Sequence, residues 1–176
     1  MTEVFIERDF EPGLTVEDVW GMVRESGHCF SLHGAHWHGS LLTAGGRRML
    51  CHFSSPDAES VRIALRQSGT QFGPVWPGTV HEAAIRPGAD PGYSNVMVTR
   101  SWSQPVELAD IQAIEEAGAW CLDAHDVQFV RTFFAADHRR MVCLYRAPDA
   151  ESVRLAQTQA GMPVEHVLAF ETIVPP

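Results

Sequence analysis

The sequence predicts an α+β protein built from two copies of one βαββαβ unit, and three observations carry that prediction. The stretch MLCHFSSPDAESVR at residues 49–62 returns as MVCLYRAPDAESVR at 141–154, an offset of 141 − 49 = 92 residues. Residues 4–69 laid on 96–161 match without a gap at 20 of 66 positions, among them Val4/Val96, Arg8/Arg100, Asp18/Asp110, Cys29/Cys121 and His33/His125. Within each copy, strand-like and helix-like apolar periods alternate in the same order. A single period that fills the chain means two copies of a unit, not a solenoid array.

The first unit opens with a strand over Val4 to Phe10, with Val4 and Ile6 on one face and Phe5 and Glu7 on the other. Glu11-Pro12-Gly13 stops it, and Thr15, Glu17 and Asp18 open a helix with acidic groups at its positive end. Val16, Val19, Trp20, Val23, Gly27 and Phe30 recur at helical spacing, so this helix runs to about Leu32 and ends at Gly34. Ala35 to Leu42 and Arg47 to Phe53 form a hairpin around Thr43-Ala44-Gly45-Gly46. Ser55 is the expected cap of a second helix, with Pro56 at its first position and Gly69 closing it. Val75 to Glu82 is the last strand. The second unit repeats the order: a strand from Asn95, helix Pro105 to Ala124, hairpin Val127 to Phe134 and Arg140 to Arg146, helix Pro148 to Ala160, strand Val167 to Val174.

This order is the ferredoxin-like one, an antiparallel sheet with two helices on one face. The expected division is residues 1–82, a Pro/Gly-rich linker at 83–94, and residues 95–176. Strands apolar on both faces, such as Met141 to Tyr145, need cover on both sides. The simplest cover is the sheet of the other unit, which predicts a fused pseudo-two-fold dimeric α+β barrel with a pocket between the sheets.

Composition narrows the function. A net charge of −9 with no basic stripe argues against nucleic acid and anionic membranes. No apolar run approaches the ~20 residues of a membrane span and no signal segment opens the chain, so a cytoplasmic location is expected. The thirteen basic residues are all arginine, which removes lysine Schiff-base chemistry. The four cysteines form the matched pairs Cys29/Cys121 and Cys51/Cys143, expected as reduced thiols.

Histidine is concentrated in the first unit, at His28, His33, His36, His38, His52 and His81. Cys29 and His33 are four apart on one helix face, as are Cys121 and His125. His36 and His38 share a strand face, about 6.6 Å apart. Across the hairpin His38 meets Cys51 or, slipped by one residue, His52. Nitrogen and sulfur ligands of this kind suit nickel, copper or zinc. The candidate metal ligands are therefore His36, His38, Cys51, His52, Cys143, Cys29, His33, Cys121 and His125, against the plain alternative of partly buried structural side chains. The counterparts of His36, His38 and His52 are Gln128, Val130 and Leu144, so a site using them occurs once per chain. Arg8/Arg100 and Arg47/Arg139 are candidates for holding an anion, although solvated strand-end arginines are commoner.

A strand with Cys-x-aromatic, then Pro-Asp-Ala-Glu-Ser-Val-Arg, then Ala160-Gly-Met-Pro163 and a closing Val174-Pro175, resembles the small nickel-binding ferredoxin-like proteins. The resemblance spans nearly all of the second unit and the first through Gly69. It implies a ferredoxin-like fold, dimerisation into a barrel and nickel binding, and places the motif cysteine at Cys51 and Cys143. The histidine that such proteins often carry in the second helix is replaced by Ala64 and Ala156. The expected function is a cytoplasmic metal-binding protein, nickel favoured or another borderline divalent metal, with its site in or near the inter-repeat barrel. The alternatives are an enzyme acting on a small organic molecule in the inter-sheet pocket, or a non-catalytic interaction module. Expected partners are a metal ion or small ligand, with further association of the fused pair possible.

Overall fold

A computed structural model describes residues 1–84 and 93–176. The centre of the expected linker, 85–92, lies outside the described residues. The chain divides into two units, Met1–Gly78 with Phe170–Pro176, and Thr79–Ala169. The division falls inside two strands, Val75–Glu82 and His166–Ile173.

In the first unit β1 (Thr2–Asp9) leads into α1 (Val16–Leu32), the hairpin β2 (His36–Thr43) and β3 (Arg48–Ser55), α2 (Ala58–Ser68), and the start of β4 (Val75–Glu82). The sheet is antiparallel in the order β4, β1, β3, β2, with the end of β8 (His166–Ile173) on the far side of β2. Thr15 and Asp18 form a capping box on α1, which satisfies two otherwise orphaned backbone donors. The cap of α2 is Asp57, not Ser55: its carboxylate accepts from Ser60 N–H at 2.7 Å, while the Ser55 hydroxyl donates to the Asp57 carbonyl. Asp is as good a cap as Ser, and Pro56 thereby sits one residue before the cap. Both helices cover one face of the sheet, where Val4, Ile6, Met49, Cys51 and Phe53 join Val61, Ala64 and Leu65 in the core. Residues of alternate parity, Glu3, Phe5, Leu50 and His52, occupy the other face.

The second unit contains β5 (Val96–Ser101), α3 (Leu108–Ala117), α4 (Ala119–Ala124), β6 (Gln128–Ala135), β7 (Arg140–Arg146), α5 (Ala150–Gln159) and the start of β8. Its sheet runs β8, β5, β7, β6, and the end of β4 meets β6 through Ala83 N–H donating to the Val130 carbonyl at 2.9 Å. The helix expected from Pro105 starts three residues later and breaks at Gly118. A Cβ there would lie 2.5 Å from the Ala160 Cβ, so the close approach of α5 requires glycine.

The registers of the two units coincide at the offset of 92. Phe5 opposes His52 as Met97 opposes Leu144, Ser40 opposes Cys51 as Thr132 opposes Cys143, and both hairpins carry a bulge at the same place, between Trp37 and Gly39 and between Phe129 and Arg131. Asp57 and Asp149 cap α2 and α5 identically. Among the described residues no helix is long and apolar enough to cross a membrane.

Candidate functional site

The hairpin register decides which candidates meet. Gly39, not His38, is the residue registered against His52, and the bulge inserts His38 as an extra residue beside it. His38 and His52 then stand ring against ring, with centroids 4.8 Å apart. Pairing of β1 with β3 sets Glu3 opposite Ser54, diagonal to His52 on the same face. Glu3, His38 and His52 each offer a ligand atom within 4.8 Å of the others'. His52 Nε2 is in contact with the Glu3 carboxylate, and His38 Nε2 lies 2.9 Å from Ser54 Oγ.

A ladder of aromatic side chains holds this corner. Trp76, Phe5 and His52 are neighbours across β4, β1 and β3, with centroids 4.5 Å and 4.8 Å apart in stacked pairs, and His38 continues the row. Such contacts fix ring orientation as well as burying apolar area. Trp76 Nε1–H donates to Glu7 at 2.9 Å on the same face.

The other candidates are placed apart from this group. His36, opposite Ser54, is exposed. Cys51 and Cys143 face the helices, buried at 4% and 0% exposure, each in contact with a hydroxyl: Ser40 donates to Cys51 Sγ at 3.1 Å, and Thr132 Oγ1 lies 3.2 Å from Cys143 Sγ. Burial pushes both thiols up. Cys29 and Cys121 are buried as well. His33 and His125, at the C-caps of α1 and α4, reach the following helix instead, 2.8 Å from Gln67 and 3.0 Å from Gln159.

Glu3 was not among the ligands the sequence suggested. Its pairing with β3 joins residues about fifty apart, and no local pattern sets that register. The one usable signal was parity: once β1 is placed beside β3, Glu3 shares a face with Phe5 and with His52.

The second unit has a different polar centre, on its helix side. Arg100 is 1% exposed, and its Nη2 donates to Gln157 Oε1 while Nε and Nη1 find no hydrogen-bond partner among the described residues. Burial alone would push the guanidinium down, but Cys143, Tyr145 and Glu115 more than offset it. Tyr145 OH donates to Glu115 Oε1 at 3.1 Å. Burial pushes the Glu115 carboxyl up, against the opposing pull of Arg100 and Tyr145. A carboxyl raised on folding stabilises most below its ordinary value of 4.5, and that contribution is lost as pH climbs through the folded value. Glu115→Gln removes the titration, so melts from about pH 4 to about pH 8 should show the variant gaining on the parent as pH rises. Parallel curves would refute the assignment.

Residues 97–169 match the family model described as nickel responsive protein SCO4226-like. The match runs from β5 into β8, and the model finds this one copy. No curated protein sequence matches the chain. Among solved structures, the putative chlorite dismutase TA0507 has a TM-score of 0.53 at 12% identity, covering 98% of this chain and 94% of that one. A mutant of chlorite dismutase from Candidatus Nitrospira defluvii has a TM-score of 0.55 at 10% identity, covering 99% and 91%. At such identities the likeness shows the α+β fold alone.

Proposed function

We propose that the protein binds a divalent transition metal, nickel first, at Glu3, His38 and His52. The observation that carries this reading is the convergence of two imidazoles and a carboxylate, from three adjacent strands, to within 4.8 Å of one another. Imidazole and carboxylate donors together suit nickel, zinc, copper or iron better than magnesium or calcium. The nickel-responsive description of the family model matching residues 97–169 supports nickel as the first metal to test. The matched unit has Asn95, Val130 and Leu144 at the equivalent positions, so the proposal is one site per chain, in the first unit.

The contact of His52 with Glu3 must open to a metal, which takes the imidazole in its neutral form. Binding therefore releases protons, and affinity falls as pH is lowered. The metal acts here as a bound ion and the three side chains as its anchors. The four cysteines belong to the cores, and His33 and His125 tie helix ends together.

Calorimetric titration of tag-free protein with nickel tests the reading. One equivalent is expected to bind, and His38→Ala or His52→Ala should each weaken it by at least ~tenfold, about 1.4 kcal/mol. Binding no tighter than ~100 µM, or affinity unchanged in both variants, would overturn it.

A further inference from the structure

Each unit buries one arginine at the same point of its first strand, since 100 − 8 = 92. Arg8 is 8% exposed and Arg100 is 1% exposed. A guanidinium does not shed its proton in a protein, so a buried one calls for a nearby acceptor or counter-charge. The second unit supplies this from its own chain. Glu115 of α3 is the neighbouring acid, Tyr145 OH donates to it, and Gln157 accepts from Arg100.

The first unit replaces all three. The counterparts of Glu115, Tyr145 and Gln157 are Val23, Phe53 and Leu65. Among the described residues no carboxylate pairs with Arg8. Its Nε donates to the Gln71 carbonyl at 3.1 Å and its guanidinium lies 5.4 Å over the Phe10 ring. Both units are hollow between the first helix and the sheet, but the second unit's cavity, about 470 Å³, has Glu115 in its wall, and the first unit's has no carboxylate. A cavity of about 260 Å³ lies between α1 and the sheet, walled by Arg8, Ser40 and Cys51 on its polar side and by Met22, Val23 and Phe30 on its apolar side. Exposed Ser31 and His36 also border it, so the cavity has a route to solvent.

We infer that this cavity binds a small organic carboxylate, whose charged group lies against Arg8 and takes the part Glu115 plays in the second unit. The volume suits a compact acid: a cavity of about 150 Å³ already holds benzene, and a carboxylate adds three heavy atoms to the ring. The apolar wall favours a short aromatic or branched tail over a second charge. A carboxylate meets the planar guanidinium through paired charge-assisted hydrogen bonds, which strengthen where water is excluded. Cys51 is in hydrogen-bond contact with Arg8, but burial outweighs that contact and pushes the thiol up, which makes it a poor counter-charge beside a carboxylate. The inference is independent of the metal proposal, since Glu3, His38 and His52 are not in the wall of this cavity.

Benzoate is the probe, titrated by calorimetry into the full chain stripped of metal. One benzoate per chain is expected, with benzamide at least ~tenfold weaker because it lacks the charge. Arg8→Met should abolish binding. Val23→Glu, which installs the second unit's own residue, should also abolish it while leaving a cooperative thermal melt, and it serves even if Arg8→Met does not fold. Three results would each overturn the inference: no benzoate binding below ~10 mM, benzamide binding as well as benzoate, or undiminished binding in folded Val23→Glu protein.

Discussion

Phe5→Ala is expected to lose about 3–5 kcal/mol of stability, the usual cost of removing a fully buried phenyl ring. Phe5 has 0% exposure and stacks on His52 on one side and Trp76 on the other. Truncation removes both contacts and leaves a void that the two flanking strands cannot close without breaking register. The informative partner is Phe5→Met. Methionine is the residue the second unit carries at this position, Met97, buried at 3%. A swap that keeps volume costs less than about 1.5 kcal/mol, so Phe5→Met should remain folded. It nevertheless removes the flat platform that orients the His52 imidazole. Nickel affinity is expected to fall several-fold in Phe5→Met, and denaturant melts separate that loss from unfolding. Parental nickel affinity in Phe5→Met would show that the ladder serves stability alone.

The same comparison of the two units explains what was legible in the sequence. Element order could be read because helical and strand periods are local, and because the repeat showed each segment twice. Asp57 and Asp149 lie inside the repeated motif, yet nothing in sequence distinguishes a capping Asp57 from Ser55, two positions earlier, which merely bonds to the Asp57 carbonyl. The sequence offers both Cys51 and His52 as neighbours of His38, but the choice between them turns on a bulge, and a bulge depends on how the two strands twist. Glu3 was beyond reach for a different reason: its partners come from β2 and β3, across a helix. The buried arginines were visible as the matched pair Arg8/Arg100. Their opposite surroundings were not, because Val23 and Glu115 approach them from the helices and only packing reveals which helical residue faces which strand.

Gly39→Ala should show that the bulge is what aims His38. Gly39 has φ +153°, a conformation that side-chain-bearing residues rarely adopt, and a Cβ there would lie 2.9 Å from the Ile173 carbonyl oxygen and 3.3 Å from Val174 Cγ1. The equivalent bulge in the second unit is made with Arg131, which is not among the non-glycine residues of positive φ, Asp126 and His138. The bulge itself therefore does not require glycine. What requires it in the first unit is the backbone angle at Gly39 together with the closeness of the end of β8. Alanine must either accept the strain and the clash or move away from β8, and the expected cost is about 2–4 kcal/mol. Relief by straightening β2 would erase the extra residue. A one-residue shift in a strand turns side chains to the opposite face, so His38 would leave His52 and Glu3. Nickel affinity is then expected to drop at least ~tenfold in protein that still melts cooperatively, read by titration beside a denaturant melt. A variant that loses stability but binds nickel like the parent would mean that His38 is aimed by its neighbours and not by the bulge.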